Sequence, residues 1–520
     1  MNFLNPSFLF FIFVLLSWGH SANAQQEVKT IWGEEIKLGK KERYLDVVGA
    51  DREAFYTTKD LYGTSDVFLL EKYRLDSMSQ VFSREISLPE IDGEVMSFEK
   101  LSFVNDQFYL FTSVYNKVSQ TIGAYCIPMN KEGDWLDIPR ELDRFESRRW
   151  NSGEFEIQWS NDSSLFMVYR KLPYQKKNNE EFNFRVYTRD FIPVWDKQLE
   201  LPYGAGTFEI TQYLLDHRGN VFLLSGSDPE KSTSDSNWKK ARKKEYVVFS
   251  YHWQEKKLRQ FDVNLRESWV MSVACHLTPK GDLCIGGFYS KDQYFTIAGS
   301  FFITMNGETR EVLSSGLKAF DKDLLQQFMS DRKAEQGNEL PDFYFDHLLL
   351  REDGSALMVA EQYYISERVT SDPTTGRQVV SYYYNYLDIL VLKVQSDGQI
   401  DWAARIPKDQ STTGDKGAYS SYALFDTHDK VYFLFNDHPD NLEIWKNNPG
   451  DDYKSFTNNK RSVATLVTLD GNGAQIREAL FSQKDAETVL RPGLYYQTAS
   501  GECVIYGQDR KSYRFGRLEF

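Results

Sequence analysis

The chain has 520 residues, a net charge of −14 at neutral pH, 41% hydrophobic residues and 15% aromatic residues. A chain of this length exceeds one ordinary compact core, so two or three domains or one repeat architecture are the first possibilities. The acidic balance argues against binding to duplex nucleic acid or to an anionic membrane surface, because both need clustered Lys and Arg. The many Tyr and Phe residues favour a β-rich fold.

The N-terminus has the pattern of a secretory signal peptide. An apolar run covers residues 8–16, and Ala22 and Ala24 then fit the small-residue rule for cleavage. The run is shorter than the roughly 20 residues of a membrane-spanning helix, so cleavage of residues 1–24 is favoured over a membrane anchor. We therefore predict an exported mature domain, residues 25–520, that is periplasmic or extracellular and lacks a transmembrane segment after cleavage.

One hairpin unit recurs along the rest of the chain. It consists of an apolar strand, a tight turn, and a second, strongly apolar strand. Asn, Asp and Gly tolerate the positive φ that such turns demand. The eight copies have turns centred near Asp51, Asp106, Asp162, Gly219, Gly281, Gly354, Asp429 and Gly501.

A second hairpin lies between successive copies of the first. In residues 391–406, VLKVQSDGQIDWAARI, an Asp-Gly turn joins an apolar strand to an outer strand that carries Trp402. Each unit therefore has four antiparallel strands in about 55 to 75 residues, which is typical of a β-propeller blade.

The two ends of the chain predict how the propeller closes. The eighth unit ends after one strand of its second hairpin, and residues 30–38 stand alone as an outer-type strand with Trp32. Pairing these ends would remove two exposed sheet edges. We predict an all-β, single β-propeller with eight blades, with seven as the next count. Two stacked β-sandwiches are the alternative fold, but they would not explain one period along the whole chain.

The second hairpins carry a family resemblance. Residues 391–406 and the segment RVYTRDFIPVWDKQLEL resemble the strand–turn–Trp repeats of quinoprotein-like bacterial propellers. The resemblance implies the propeller fold over residues 30–520. Quinone-dependent dehydrogenases of that superfamily place a disulfide between adjacent cysteines against the cofactor, and this chain has no Cys-Cys pair. The resemblance therefore carries over no functional residue, and we predict no cofactor.

The chain has four cysteines, too few for a disulfide-built scaffold. If the segment TPKG forms a turn, Cys275 and Cys284 lie directly opposite each other. An exported protein could join them in a disulfide, although two buried thiols packed as small hydrophobic groups would fit the same pattern.

Long segments between the hairpins indicate a binding face, because variable loops on a rigid scaffold commonly carry function. Residues 361–386 should extend two strands into a hairpin whose tyrosines form cross-strand aromatic pairs. These rings would either bind a sugar or peptide, or merely hold the hairpin together. The candidate binding residues are Tyr363, Tyr364, Tyr382, Tyr384, Trp238 and Trp445.

Motifs for catalysis are scarce. The six histidines after the signal peptide show no zinc-peptidase spacing, no Gly-x-Ser-x-Gly elbow is present, and we predict no metal site. We predict a binding or scaffolding module that engages a protein or glycan. A hydrolase or lyase acting on carbohydrate or peptide, with acidic residues at the channel mouth, is the first alternative. A structural component of a cell-envelope assembly is the second.

Overall fold

The computed structural model describes most of the chain after the predicted signal peptide. It covers residues 28–64, 66–147, 154–171, 179–204, 208–227, 244–265, 268–291, 295–371, 376–427, 429–450, 452–457 and 461–520. The predicted signal peptide at residues 1–24 and the candidate residue Trp238 lie outside the described residues.

Strands make up most of the described chain and form sheets in chain order. Two short strands come first, β1 (Lys29–Trp32) and β2 (Ile36–Lys37). Sheet 1 comprises β3 (Glu42–Ala50), β4 (Ala54–Leu61), β5 (Val67–Arg74) and β6 (Gln80–Ser87). A small hairpin follows, with strands β7 (Glu90–Ile91) and β8 (Glu94–Val95). Sheet 2 comprises β9 (Ser97–Val104), β10 (Gln107–Asn116), β11 (Thr121–Met129) and β12 (Arg140–Glu146).

The middle of the chain continues this series. Sheet 3 comprises β13 (Glu154–Trp159), β14 (Leu165–Lys171), β15 (Asn179–Thr188) and β16 (Pro193–Gly204). Sheet 4 comprises β17 (Phe208–Leu215), β18 (Val221–Ser227), β19 (Glu245–His252) and β20 (Lys257–Val263). Next come β21 (Trp269–Leu277), β22 (Leu283–Ser290), β23 (Thr296–Ile297), β24 (Gly299–Met305), β25 (Val312–Ala319) and β26 (Leu340–Pro341). Sheet 5 contains β21, β22, β24 and β25, while β23 pairs with β26.

Three sheets complete the fold. Sheet 6 comprises β27 (Phe343–Leu350), β28 (Ala356–Ser371), β29 (Gln378–Val394) and β30 (Ile400–Ile406), with β31 (Gln410–Thr413) added to β29. Sheet 7 comprises β32 (Ala423–Asp426), β33 (Lys430–Asp437), β34 (Val463–Asp470) and β35 (Gln475–Ser482). Sheet 8 comprises β36 (Val489–Gln497), β37 (Cys503–Asp509) and β38 (Ser512–Glu519), joined by β1 and β2. The helices are α1 (Lys322–Gln326), α2 (Asp331–Glu335), α3 (Asn441–Asn447) and α4 (Gln483–Ala486).

The prediction of an all-β chain built from four-stranded antiparallel units, as in β-propellers, is confirmed. Strands within each of sheets 1 to 7 pair in chain order, so the connections alternate between two ends of the sheet. We call the end with the first and third turns the tight-turn end, and the opposite end the crossover end. The connections that carry α1 to α4 all lie at crossover ends.

Five of the eight predicted turn centres adopt the positive φ that their sequence predicts, whereas Asp51, Asp162 and Asp429 do not. Asp106 and the glycines at four other predicted turn centres have positive φ, the conformation that Asn, Asp and Gly tolerate best. These glycines are Gly219, Gly281, Gly354 and Gly501.

The hydrophobic core is divided among the gaps between sheets. Each strand of a sheet sends alternate side chains to the two neighbouring sheets, so one apolar cluster fills each gap between consecutive sheets. A further cluster packs sheet 8 against sheet 1, with Phe515 in edge-to-face contact with Phe55 at 4.9 Å between ring centroids. Every sheet is therefore buried on both of its faces.

The first strand pairs with the last. In the antiparallel register of β1 and β38, Trp32 lies opposite Gly516, and the Gly33 N–H donates to the Phe515 carbonyl at 2.9 Å. A Cβ added to Gly516 would lie 2.9 Å from the indole ring of Trp32. The glycine is therefore needed for the close approach of the indole ring.

Two of the recurring outer-strand tryptophans form hydrogen bonds between adjacent sheets. The Trp195 indole donates to the Gly219 carbonyl at 2.9 Å, which joins sheet 3 to a turn of sheet 4. The Trp402 indole donates to the Gly471 carbonyl at 2.8 Å, which joins sheet 6 to a turn of sheet 7. An outer-strand Trp thus satisfies a turn carbonyl of the next sheet, which gives these repeated residues a structural role.

The predicted placement of two cysteines is wrong by one residue. In the register of β21 and β22, Cys275 lies opposite Ile285, and Cys284 lies opposite His276. Since adjacent positions of a strand point to opposite faces, Cys275 packs toward sheet 4 and Cys284 toward sheet 6. Both thiols are free and buried, so they pack as small hydrophobic groups.

Candidate partner-binding site

A long hairpin extends the two middle strands of sheet 6. β28 and β29 stay paired from Tyr363 opposite Tyr386 out to Ser371 opposite Gln378. We call residues 363–371 and 378–386 the projecting ribbon. It extends from the crossover end of the sheet, so the predicted hairpin over residues 361–386 is confirmed.

The register of the projecting ribbon corrects the prediction of tyrosine pairs. The candidate tyrosines pair as follows: Tyr363 with Tyr386, Tyr364 with Asn385, Tyr384 with Ile365 and Tyr382 with Glu367. One aromatic pair therefore forms, Tyr363 with Tyr386, at 4.5 Å between ring centroids. The reason is positional, because the tyrosines of β28 lie at its foot while those of β29 extend toward the tip.

The same register gives the projecting ribbon two unlike faces, since directly opposite residues share a face. The apolar face carries Tyr363, Ile365, Glu367, Val369, Val380, Tyr382, Tyr384 and Tyr386. The polar face carries Tyr364, Ser366, Arg368, Thr370, Val379, Ser381, Tyr383 and Asn385. On the apolar face, Ile365, Val369, Val380 and Tyr382 are between 45% and 56% exposed. Exposed apolar side chains grouped on one face, here on either side of Glu367, are typical of a contact surface.

The foot of the projecting ribbon is held firmly. β31 pairs with residues 383–386 of β29. The Asn385 side chain is buried, donates to the Tyr364 carbonyl at 3.2 Å and accepts from the Ser411 hydroxyl at 2.9 Å. The distal part is therefore presented on a rigid base, which lowers the entropy lost when a ligand binds.

A buried ion pair lies beneath this foot. The Lys408 ammonium has no solvent exposure and lies 2.7 Å from the Glu361 carboxylate. The Ser421 hydroxyl donates to Glu361 at 2.7 Å, and Lys408 donates to the Gln410 side chain at 3.1 Å. These contacts join β28 to the segment after β30. They also give the buried charges of Lys408 and Glu361 the opposite charge and the hydrogen bonds that buried charges need.

Asp346 on β27 is the unusual carboxyl group of this region. Asp346 keeps part of its surface exposed to solvent, but the protein packed around its carboxyl group, together with the nearby Glu361 carboxylate, raises the pKa of Asp346 to about 7. The buried Tyr422 hydroxyl donates to Asp346 at 2.8 Å. Sequence patterns did not reveal Asp346 or Lys408, because neither lies in a motif, and only the fold brings them close to Glu361.

The two tryptophans among the predicted binding residues are not part of the projecting ribbon. Trp445 lies in α3, in the connection between the middle strands of sheet 7, and is half-buried. Trp238 falls outside the described residues. The site that the structure assembles is therefore the projecting ribbon and its foot.

Two further searches concern the described residues alone. No three His, Cys, Asp or Glu side chains of this part of the chain converge to hold a metal ion. None of its helices combines the length and apolar character needed to cross a membrane.

Three solved structures have a distant similarity to this chain. No protein-family profile and no curated protein sequence matches this chain. The WD40 domain of SCAP from fission yeast has a TM-score of 0.38 at 8% identity, over 94% of this chain and 98% of that one. The β-propeller domain of the trilobed protease from Pyrococcus furiosus has a TM-score of 0.35 at 9% identity, over 86% and 98%. An uncharacterised protein from Listeria monocytogenes has a TM-score of 0.36 at 11% identity, over 82% and 95%. Since these TM-scores are below 0.5, no conclusion rests on them.

Proposed function

We propose that sheets 1 to 8, six with four strands and two with five, are the blades of one closed β-propeller. The pairing of β1 with β38 and the apolar cluster between sheets 8 and 1 support closure. Removing β1 should then expose the edge of β38, lower the thermal midpoint and promote aggregation. The similarity to quinoprotein-like repeats extends no further than the strand–turn–Trp pattern and remains a prediction.

We further propose that this propeller is an exported binding module, with residues 1–24 as its signal peptide and residues 25–520 as the mature domain. The observation that carries the binding function is the exposed apolar face of the projecting ribbon. An apolar surface on a rigid foot suits a protein partner, or a glycan whose rings stack on Tyr382. Expression with the native leader, followed by N-terminal sequencing of the secreted chain, tests export, and a mature N-terminus at Gln25 is the expected result.

Capture experiments test the binding function. The mature chain and the variant Ile365→Ser/Val380→Ser/Tyr382→Ser are immobilised and exposed to native cell-envelope extract and to a glycan array. We expect ligands bound by the parent chain to be lost from this variant. Val118→Ser is the matched control, because Val118 is 96% exposed but lies in the turn between β10 and β11 of sheet 2. Ligands that bind all three chains equally would contradict a binding role for the apolar face.

Asp346 supports a second candidate function, a hydrolase or lyase acting on a glycan or peptide. A carboxyl group with a pKa of about 7 can retain a proton at neutral pH and donate it to a leaving group. The neighbouring Glu361 carboxylate already forms an ion pair with Lys408 and accepts a hydrogen bond from Ser421. Asp346 is therefore the candidate proton donor of this site, and no residue is assigned as the nucleophile. Turnover on a glycan and peptide panel that is lost in Asp346→Asn would favour this function over binding alone.

A further inference from the structure

The outer part of β28 in the projecting ribbon has one edge that pairs with none of the described strands. β27 pairs with β28 only as far as Phe343 opposite Gln362, and the Tyr363 N–H then donates to the Asp342 carbonyl at 2.9 Å. From Tyr364 to Ser371, β28 pairs with β29 alone among the strands that the structure describes. Eight consecutive residues therefore have a partner strand on one side and none of the described strands on the other.

The bonding direction along this edge follows from one contact. The Tyr363 N–H points away from β29, and backbone groups alternate in direction along an antiparallel strand. Ile365, Glu367 and Val369 therefore direct their N–H and C=O groups to the open edge. Exposed strand edges are templates for a further strand, which proteins ordinarily block.

We propose that this edge, residues 364–371, takes up an extended segment of a partner protein as an additional antiparallel strand. The inference rests on the proposed binding function and names the chemistry of its partner. Strand addition uses backbone hydrogen bonds for affinity and alternate side chains for specificity. The added strand would continue the line of β27 and enlarge the apolar face of the projecting ribbon.

The charged residues of the edge determine which partner sequence can pair with it. On the central part of the edge, Glu367 lies on the apolar face and Arg368 on the polar face. A complementary strand places a basic residue opposite Glu367, an acidic residue opposite Arg368, and apolar residues opposite Ile365 and Val369. The partner segment therefore alternates apolar residues with one adjacent acidic–basic pair.

A second copy of this chain fits less well. Antiparallel pairing of two identical edges about a two-fold axis keeps each residue on its own face. The registers centred on this edge then place Glu367 opposite its own copy, or Arg368 opposite its own copy. Directly opposed like charges destabilise a strand pair, so the charge pattern favours a different protein.

A synthetic peptide tests the proposal directly. The peptide Thr-Val-Glu-Lys-Thr-Ile-Tyr, aligned antiparallel to residues 364–370, has the complementary pattern. Exchanging its Glu and Lys gives a matched control of identical composition. We expect the first peptide to bind the mature chain, measured by fluorescence anisotropy, and the exchanged peptide to bind at least about fivefold more weakly, since both cross-strand ion pairs become like-charge pairs. Equal affinity, or no binding up to millimolar peptide, would overturn the proposal.

Two variants separate strand addition from simple apolar contact. Glu367→Pro removes an N–H directed to the open edge, where proline is tolerated in a strand, and Glu367→Gln keeps that N–H but removes the charge. We expect Glu367→Pro to reduce peptide affinity by at least about tenfold and Glu367→Gln by only about twofold to threefold. Circular dichroism and thermal midpoints confirm that both variants remain folded.

Hydrogen exchange and capture complete the test. Bound peptide should slow exchange of the amides of Ile365, Glu367 and Val369 by at least about tenfold, because these groups become hydrogen-bonded. A natural partner captured by the parent chain should be lost with Glu367→Pro. Partner capture that survives Glu367→Pro but not the serine variant of the apolar face would overturn strand addition while the proposed binding function stands. Dimerisation of the parent chain that Glu367→Pro abolishes would make a second copy the occupant and overturn the partner named here.

Discussion

Replacing Lys59 by Met tests the packing between the first and last sheets. The Lys59 side chain is 2% exposed, and its ammonium contacts Glu42 at 3.0 Å, Glu71 at 3.1 Å and the Tyr513 hydroxyl at 2.6 Å. Lys59 lies on β4 of sheet 1, whereas Tyr513 lies on β38 of sheet 8. The residue therefore joins the two sheets at which the proposed propeller closes.

The expected cost follows from the charge left behind. In Lys59→Met, Glu71 stays buried at 2% exposure and loses its only described cation. Removing one partner of a buried ion pair costs about 3 to 5 kcal/mol. Tyr73, Gln80 and Ser83 still donate to Glu71 at 2.8 to 3.1 Å, so we expect a loss of about 3 kcal/mol, at the lower end of that range.

Charge removal should reverse part of this loss. In Lys59→Met/Glu71→Gln no uncompensated carboxylate remains, so we expect the double variant to be more stable than Lys59→Met. The matched control is Lys117→Met, since the Lys117 ammonium lies 2.7 Å from Glu94 but Lys117 is solvent-exposed and Glu94 is partly exposed. Exposed pairs contribute about 0 to 1 kcal/mol, so this control should remain close to the parent chain.

Urea unfolding at pH 7, followed by tryptophan fluorescence, measures these differences through the midpoint and the slope of each transition. Burial opposes the charge of Lys59, but the Glu71 carboxylate and the contacts with Tyr513 and Glu42 together outweigh burial, so the pKa of Lys59 is raised. Stability from this charge is therefore fully present at pH 7 and is lost only as the pH rises through that raised pKa. A loss below about 1 kcal/mol for Lys59→Met, with an unchanged slope, would refute the reasoning.

Three further predictions concern single contacts. Trp402→Phe removes the indole donor to the Gly471 carbonyl, so we expect a loss of about 1 kcal/mol in urea unfolding, and an unchanged midpoint would contradict that role. Gly516→Ala places a Cβ 2.9 Å from the Trp32 ring, so we expect a loss of about 1 to 3 kcal/mol and faster proteolysis at the N-terminus, whereas parent-like proteolysis would count against the β1–β38 pairing. The raised pKa of Asp346, about 7, means that the folded state holds a proton that the unfolded state releases near pH 4. The parent chain should then lose stability relative to Asp346→Asn as the pH rises from about 4 to 7, measured by urea midpoints across that range, and a parallel pH profile for both chains would exclude the shift.

Regular repetition made much of the fold predictable. Turn centres such as Gly219 and Gly354, and outer strands such as that of Trp402, follow from local periodicity and turn chemistry, which act over a few residues. Hairpin length at residues 361–386 was predictable for the same reason. Cross-strand register was not, because it depends on bulges and turn geometry. A shift of one residue separated Cys275 from Cys284, and the pairing of β28 with β29 left a single tyrosine pair.

The candidate site depended more strongly on tertiary structure. Tyrosines in a predicted hairpin pointed to the correct segment, but the split into an apolar and a polar face required the actual pairing of β28 with β29. Trp445 and Trp238 were chosen by residue type alone, and neither belongs to the projecting ribbon. Asp346 and Lys408 carry no local pattern, since their environment comes from strands and loops far apart in the chain.

By itself, the amino-acid sequence determined the strands, their turns, the four-stranded unit and the place of the long hairpin, because alternation and turn propensity are short-range properties. Only the tertiary structure decided the register, the edge of β28 that none of the described strands pairs with, and the perturbed carboxyl of Asp346. Those features arise where separate segments meet, and the packing and hydrogen bonding that produce them are properties of the assembled sheets.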